Sequence, residues 1–166
     1  MALRNYPVPV TLPHPALPCA DWADCYELRV QGNALTATSV AERALGNFPV
    51  WVRALMWLRN AVVSPFGLKG SGYRPASPQD MIGFFPVLSR SEEQIVLGFD
   101  DTHLDFRIVA DICQAGAAEQ IVSVTTLVYR KILLGKIYIA VITPFHRLIV
   151  RTMLERLSRP GIQANR

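Results

Sequence analysis

Covalent and metal chemistry have little to work with in this chain. Its three cysteines, Cys19, Cys25 and Cys113, are odd in number and never fall in a CxxC pair. They read as free thiols in a reducing cytoplasm, and no structural zinc site is expected. Long apolar runs are also scarce. Half of the residues are hydrophobic (51%), yet no stretch of about eighteen is free of charge, and Ile132–Ile142 is both short and interrupted by Lys136. A membrane span is therefore not expected. The opening MALRNYPVPV lacks the apolar centre of a signal peptide. GxSxG, HExxH and a phosphate-cradling loop are missing, and Cys113 has no histidine beside it. Gly70-Ser71-Gly72 is half of a dinucleotide fingerprint without the third glycine, the strand or the helix. No catalytic residue, metal or cofactor is assigned on these grounds. The net charge is only +4, and aromatic and basic residues are not interleaved on the strand-like segments. Nucleic acid is accordingly not an expected partner.

What is present is strongly patterned. Residues 7–18 hold Pro7, Pro9, Pro13, Pro15 and Pro18, a density that excludes helix and favours an extended arm. The expected organisation is this arm over 1–19, a single domain over 20–160 and a tail over 161–166. Tyr26, Leu28 and Val30 alternate with Cys25, Glu27 and Arg29, which predicts a half-buried strand. Ser39 with Glu42 matches a capping box for a short helix over 40–45, and Gly46 suits a left-handed residue closing it. The segment 48–63, with Pro49 in its first turn, predicts a second helix. Trp51, Leu55, Leu58 and Val62 would face inward, and Arg53, Trp57 and Asn60 outward. The Gly-, Pro- and Ser-rich stretch 64–82 is long for a connection inside a compact domain.

From Gly83 to Arg130 the hydrophobic period is two. Residues 84–90, 94–99, 104–112 and 121–130 form a four-stranded antiparallel meander, with Leu104, Phe106, Ile108, Ala110 and Ile112 as one inward face. A long apolar helix closes the chain over 131–159, with the cations Lys131, Lys136, Arg147, Arg151, Arg156 and Arg159 against Glu155 alone. Cations near a helix C-terminus match the macrodipole. Pro144 lies inside this helix, where proline costs about 3 kcal/mol and takes a donor from the Ala140 carbonyl, so a bend is expected there. Tyr138, Val141, Phe145, Leu148, Ile149 and Thr152 form a stripe expected to be core, with Lys136, Thr143, Arg147 and Arg151 opposite. The fold class is α+β: a helix-grip arrangement, an antiparallel sheet curved around a long C-terminal helix.

Three blocks carry a resemblance: WVRALMWLRNAVVSPFGLK at 51–69, GFFPVLSRSEEQIVLGFDDTHLDFR at 83–107 and PFHRLIVRTML at 144–154. In content and order they resemble a bacterial family catalogued as domain of unknown function 2867. The resemblance implies a START-like, ligand-binding shape and no assigned reaction.

The expected function is binding of a small apolar or lipid-like ligand in a cavity between the sheet and the last helix. Its wall would include Phe84, Phe106, Tyr138, Val141, Phe145 and His146. The densest polar group, His103, Asp105 and Arg107, projects from one strand face. It reads mainly as a solvated outer face whose charges pair across strands, and secondarily as a polar ligand contact. Two alternatives stand beside this reading. One is a protein-interaction or membrane-surface module built on the tryptophan-bearing helix and the basic terminal helix, with homodimerisation through the Trp57 face as a variant. The other is an enzyme using His103 with Asp105, or His146, as acid or base.

Overall fold

The computed structural model describes residues 6–32, 34–46, 48–54, 81–101 and 104–157. Among them run seven strands and two full helices: β1 (Tyr6–Val8), β2 (Trp22–Gln31), α1 (Ala37–Leu45), β3 (Met81–Ile82), β4 (Phe85–Arg90), β5 (Gln94–Asp100), β6 (Leu104–Gly116), β7 (Glu119–Arg130) and α2 (Leu133–Leu157). Residues 50–54 are helical as well. The strands form one antiparallel sheet in the order β1-β2-β7-β6-β5-β4-β3. The α+β helix-grip-like architecture expected from the sequence is therefore present, with the meander 85–130 at its centre.

Alternation along the strands sets the inner face. Tyr26 and Leu28 on β2, Ile95 and Leu97 on β5, Ile108, Ala110 and Ile112 on β6, and Val122 on β7 are buried together with Ala37, Val40, Ala41, Ala44 and Leu45 of α1. The C-terminal half of α2 completes this core through Val150, Met153, Leu154 and Leu157. A second cluster gathers Leu104, Val128 and Ile139, with Trp22, Phe99, Phe106 and Tyr138 partly buried against it. Arg107 lies flat across β5. This requires Gly98, where a Cβ would collide with the Phe106 carbonyl oxygen and the Arg107 side chain.

Several local expectations are corrected. The N-cap of α1 is Thr36, three residues before the predicted cap: its hydroxyl accepts from the Ser39 N–H at 3.2 Å, while the Ser39 hydroxyl accepts from the Thr36 N–H at 3.0 Å. Tertiary bonds select this start, because the Ala37 N–H donates to the Glu92 carbonyl and Gln120 clamps Leu35 through both ends of its amide. Gly46 is right-handed, with φ −65°, since its N–H continues the helix by donating to the Glu42 carbonyl. In the next helical segment Val52 is buried and Trp51 exposed, one position round from the predicted inward face. Leu55, Trp57, Leu58 and Val62 fall outside the described residues.

The outer face of the sheet, expected to be wet, is covered in its middle by the proline-rich arm. Tyr6–Val8 pairs with β2 as an edge strand, and Leu17 and Ala20, with Val10 and Ala16, pack on Val96, Val109 and Leu127. The largest correction concerns α2. It continues through Pro144 as one helix, and the predicted stripe is covered only in part: Tyr138, Ile149 and Thr152 are partly buried, whereas Val141, Phe145 and Leu148 are exposed. The stretch Gly135–Glu155 is also long and apolar enough to cross a membrane by length and composition, at a mean hydropathy of 1.3, where no span was expected. The difference is physical. Scattered cations interrupt a charge-free run without lowering the average hydropathy of the helix much.

Candidate functional site

Ile139, His146, Val150, Met153 and Leu157 recur at intervals of three, four and seven, so they share one side of α2, and that side meets the sheet. His146 is the polar member of this set. Opposite it, β2 presents Trp22, Asp24, Tyr26 and Leu28 on its inner side, and Thr126 of β7 lies directly across from Asp24. The His146 Nε2 and Asp24 Oδ1 are 3.1 Å apart, with side chains 19% and 16% exposed. An ionised carboxylate can only accept, so with Asp24 charged Nε2 carries the proton and donates. Trp22 packs edge-on against the imidazole, with ring centroids 5.8 Å apart and planes at 74°.

The second carboxylate oxygen gives this pair its interest. Asp24 Oδ2 is buried and accepts no hydrogen bond among the described residues. A buried acceptor left unmatched costs about 1–3 kcal/mol, more if charged. On the strand, Asp24 lies between Trp22, which belongs to the second apolar cluster, and Tyr26, which belongs to the main core. The polar pair therefore marks the seam between the two clusters. Tyr26 beneath it has its phenol pushed up, first by burial and then by the neighbouring Asp24 charge, while Arg147 and Arg151 act in the opposite sense.

The polar group expected on β6 is arranged differently. Arg107 pairs with Asp100 at 2.7 Å and donates to the carbonyls of Phe99 and Phe106 at 3.0 and 2.9 Å. Lys131 Nζ lies 2.6 Å from Asp105 Oδ1 and donates to the Asp101 carbonyl. Asp105 Oδ1 has no hydrogen bond of good geometry and is compensated by charge. The Lys131 ammonium is held above its ordinary value by its contact with Asp105. These groups tie β5, β6 and the end of β7 together on the outer face. His103 lies outside the described residues.

The other predicted wall residues are scattered. Phe106 packs between Phe85 and Phe99, at centroid distances of 5.7 and 5.6 Å, and Tyr138 is partly buried near Ile139. Phe84 is half exposed in the β3–β4 turn and stacks on Phe48 at 5.3 Å. Strands β5, β6 and β7 separate it from Asp24 in the sheet order. Val141 and Phe145 point away from the sheet. The structure thus brings Phe106, Tyr138 and His146 to one region and leaves Phe84, Val141 and Phe145 out of it. Sequence reasoning missed Asp24 and Trp22. The available signal was an aspartate at an inward position of the alternation Trp22, Asp24, Tyr26. Among the described residues no group of three or more His, Cys, Asp or Glu side chains is placed to hold a metal ion.

A family model described as "Protein of unknown function (DUF2867)" matches residues 16–153, and the chain belongs to that family. The matched span includes both Asp24 and His146. No curated protein and no solved structure matches the chain.

Proposed function

We propose that the protein binds a small, mainly apolar guest at the seam between the sheet and the middle of α2, with Asp24 and His146 as its polar anchor. The observation that carries this reading is the buried, unmatched Oδ2 of Asp24 beside an imidazole and the indole of Trp22. Apolar walls with one or two convergent polar groups are the usual composition of a small-molecule site. An acceptor-only carboxylate selects a guest that brings a donor, so the ligand class is a lipid-like or aromatic alcohol or amine. The helix-grip-like arrangement supports the reading, because its terminal helix and its sheet supply two different walls.

The test uses Trp22 as reporter, in a chain carrying Trp51→Phe and Trp57→Phe. Titration with a series of long-chain alcohols and amines should shift Trp22 emission for at least one class. Asp24→Asn should weaken that binding by roughly tenfold or more, as expected for a hydrogen bond to a charged group. Equal affinity of the Asn variant, or no response to any member of the series, would remove the proposal. The second reading, acid–base chemistry at His146, draws on the carboxylate that orients its ring. It predicts slow conversion of a bound guest that His146→Gln abolishes, a loss of turnover well beyond the accompanying loss of affinity.

A further inference from the structure

The outward side of α2 is unlike an ordinary helix surface. Leu133, Ile137, Val141, Phe145 and Leu148 are 71, 53, 62, 48 and 56% exposed. Their spacing of four, four, four and three places them in one continuous stripe. Ile132, just before the helix, is 46% exposed as well. Beside the stripe runs a second row, Lys136, Ala140 and Arg147, whose charged members are both cations. Glu155, near the end, is the helix's only acid. A contiguous apolar patch of this size on a folded domain marks an interaction surface.

Charge and geometry select the occupant. We infer that this face of α2 docks the protein flat on an anionic lipid bilayer. An apolar stripe along one row and cations along the next is the arrangement of a helix lying in the interfacial plane: the stripe enters the acyl boundary and the cations meet lipid phosphates. The helix reaches the hydropathy of a membrane span, at 1.3 over Gly135–Glu155, but it cannot cross while folded as described. Its opposite side, Ile139, Val150, Met153, Leu154 and Leu157, is committed to the protein core. A second copy is a poorer match. An antiparallel symmetric pairing through the stripe would bring both cationic rows to the same side of the interface, where like charges repel. The inference stands independently of the guest at Asp24.

The experiment is flotation of the full-length protein with vesicles of equal parts phosphatidylcholine and phosphatidylglycerol, against phosphatidylcholine alone, at low and high salt. The protein should float with the anionic vesicles at low salt, stay behind with the neutral ones, and be released by an alkaline carbonate wash. Lys136→Glu/Arg147→Glu should reduce binding by roughly tenfold or more, since each cation near such a surface contributes severalfold. Phe145→Ser/Leu148→Ser should lose binding while keeping the far-ultraviolet circular dichroism of the parent. Binding to neither vesicle overturns the inference, as does binding that survives charge reversal or loss of the apolar pair. Retention after carbonate, which signals a spanning helix, overturns it too. So does a dimer in sedimentation velocity that Phe145→Ser/Leu148→Ser dissociates in the absence of any vesicle binding.

Discussion

The two sides of α2 are equally apolar and have opposite fates. Leu154 is 1% exposed and locked among residues of α1 and the sheet, whereas Leu148, less than two turns earlier, is 56% exposed. Nothing in their chemistry separates them. A helix with two apolar sides separated by a cationic row has a weak amphipathic signal, so its sequence shows that stripes exist without saying which one is covered. Stability measurements separate the two sides. Leu154→Ala should cost about 2–5 kcal/mol, because removing a fully buried leucine loses transfer energy and leaves a cavity. Leu148→Ala should stay within about 0.5 kcal/mol. Urea unfolding of both variants gives the answer, and similar losses at the two sites would mean that the outward stripe has an intramolecular cover.

The same contrast appears between the two polar clusters. On the outer face, Arg107 and Lys131 each meet a carboxylate and at least one carbonyl, so the charges are compensated within the strands. At the seam, Asp24 has one partner for two oxygens. The outer cluster serves structure, and the inner one is incomplete. Double-mutant cycles sharpen this. Asp24→Asn with His146→Gln should give a coupling of about 1–2 kcal/mol, as for a mostly buried hydrogen bond to a charged group. Asp105→Asn with Lys131→Met should give only about 0.2–1 kcal/mol, since Lys131 is a third exposed and water screens the pair. The reverse order, measured by urea midpoints, would assign the structural role to the seam.

What the sequence revealed and what it hid divide along the same physical line. The inward set Leu104, Phe106, Ile108, Ala110 and Ile112 was legible, because a period of two on a long strand leaves one register that buries it. The hairpins were legible from the breaks in alternation between the strand segments. Ser91, for instance, accepts from the Gln94 N–H at 2.9 Å and fixes the β4–β5 turn. The start of α1 was not, because Thr36, Thr38 and Ser39 can all cap and the choice falls to Glu92 and Gln120, more than fifty residues away. Covering of Val109 and Leu127 by the proline-rich arm is equally non-local. The candidate site suffered most. Asp24 and His146 stand 122 positions apart, and neither sits in a motif that announces the other.

The smallest predicted effect compares the two sides of β2. Cys25 faces the outer side of the sheet and Tyr26 the inner, and burial pushes the ionisation of both upward from their ordinary values of 9.0 and 10.0. Lys131 is also raised, by its contact with Asp105. In each case the folded protein holds its proton to higher pH than the unfolded chain does. Stability from these groups is then complete below the unfolded values and falls as pH rises through them, because the unfolded state releases protons first. The unfolding free energy should therefore be level on this account up to about pH 9 and decline beyond it, with the thiol contributing first and the phenol and ammonium later. Cys25→Ala will lower the whole curve by removing buried volume, so its level carries no information about ionisation. Its shape does: the decline should begin nearer pH 10, while Tyr26→Phe should leave the onset where it was and flatten the later part. If Cys25→Ala leaves the onset unchanged, the outer side of β2 admits water to the thiol, against the 7% exposure of Cys25.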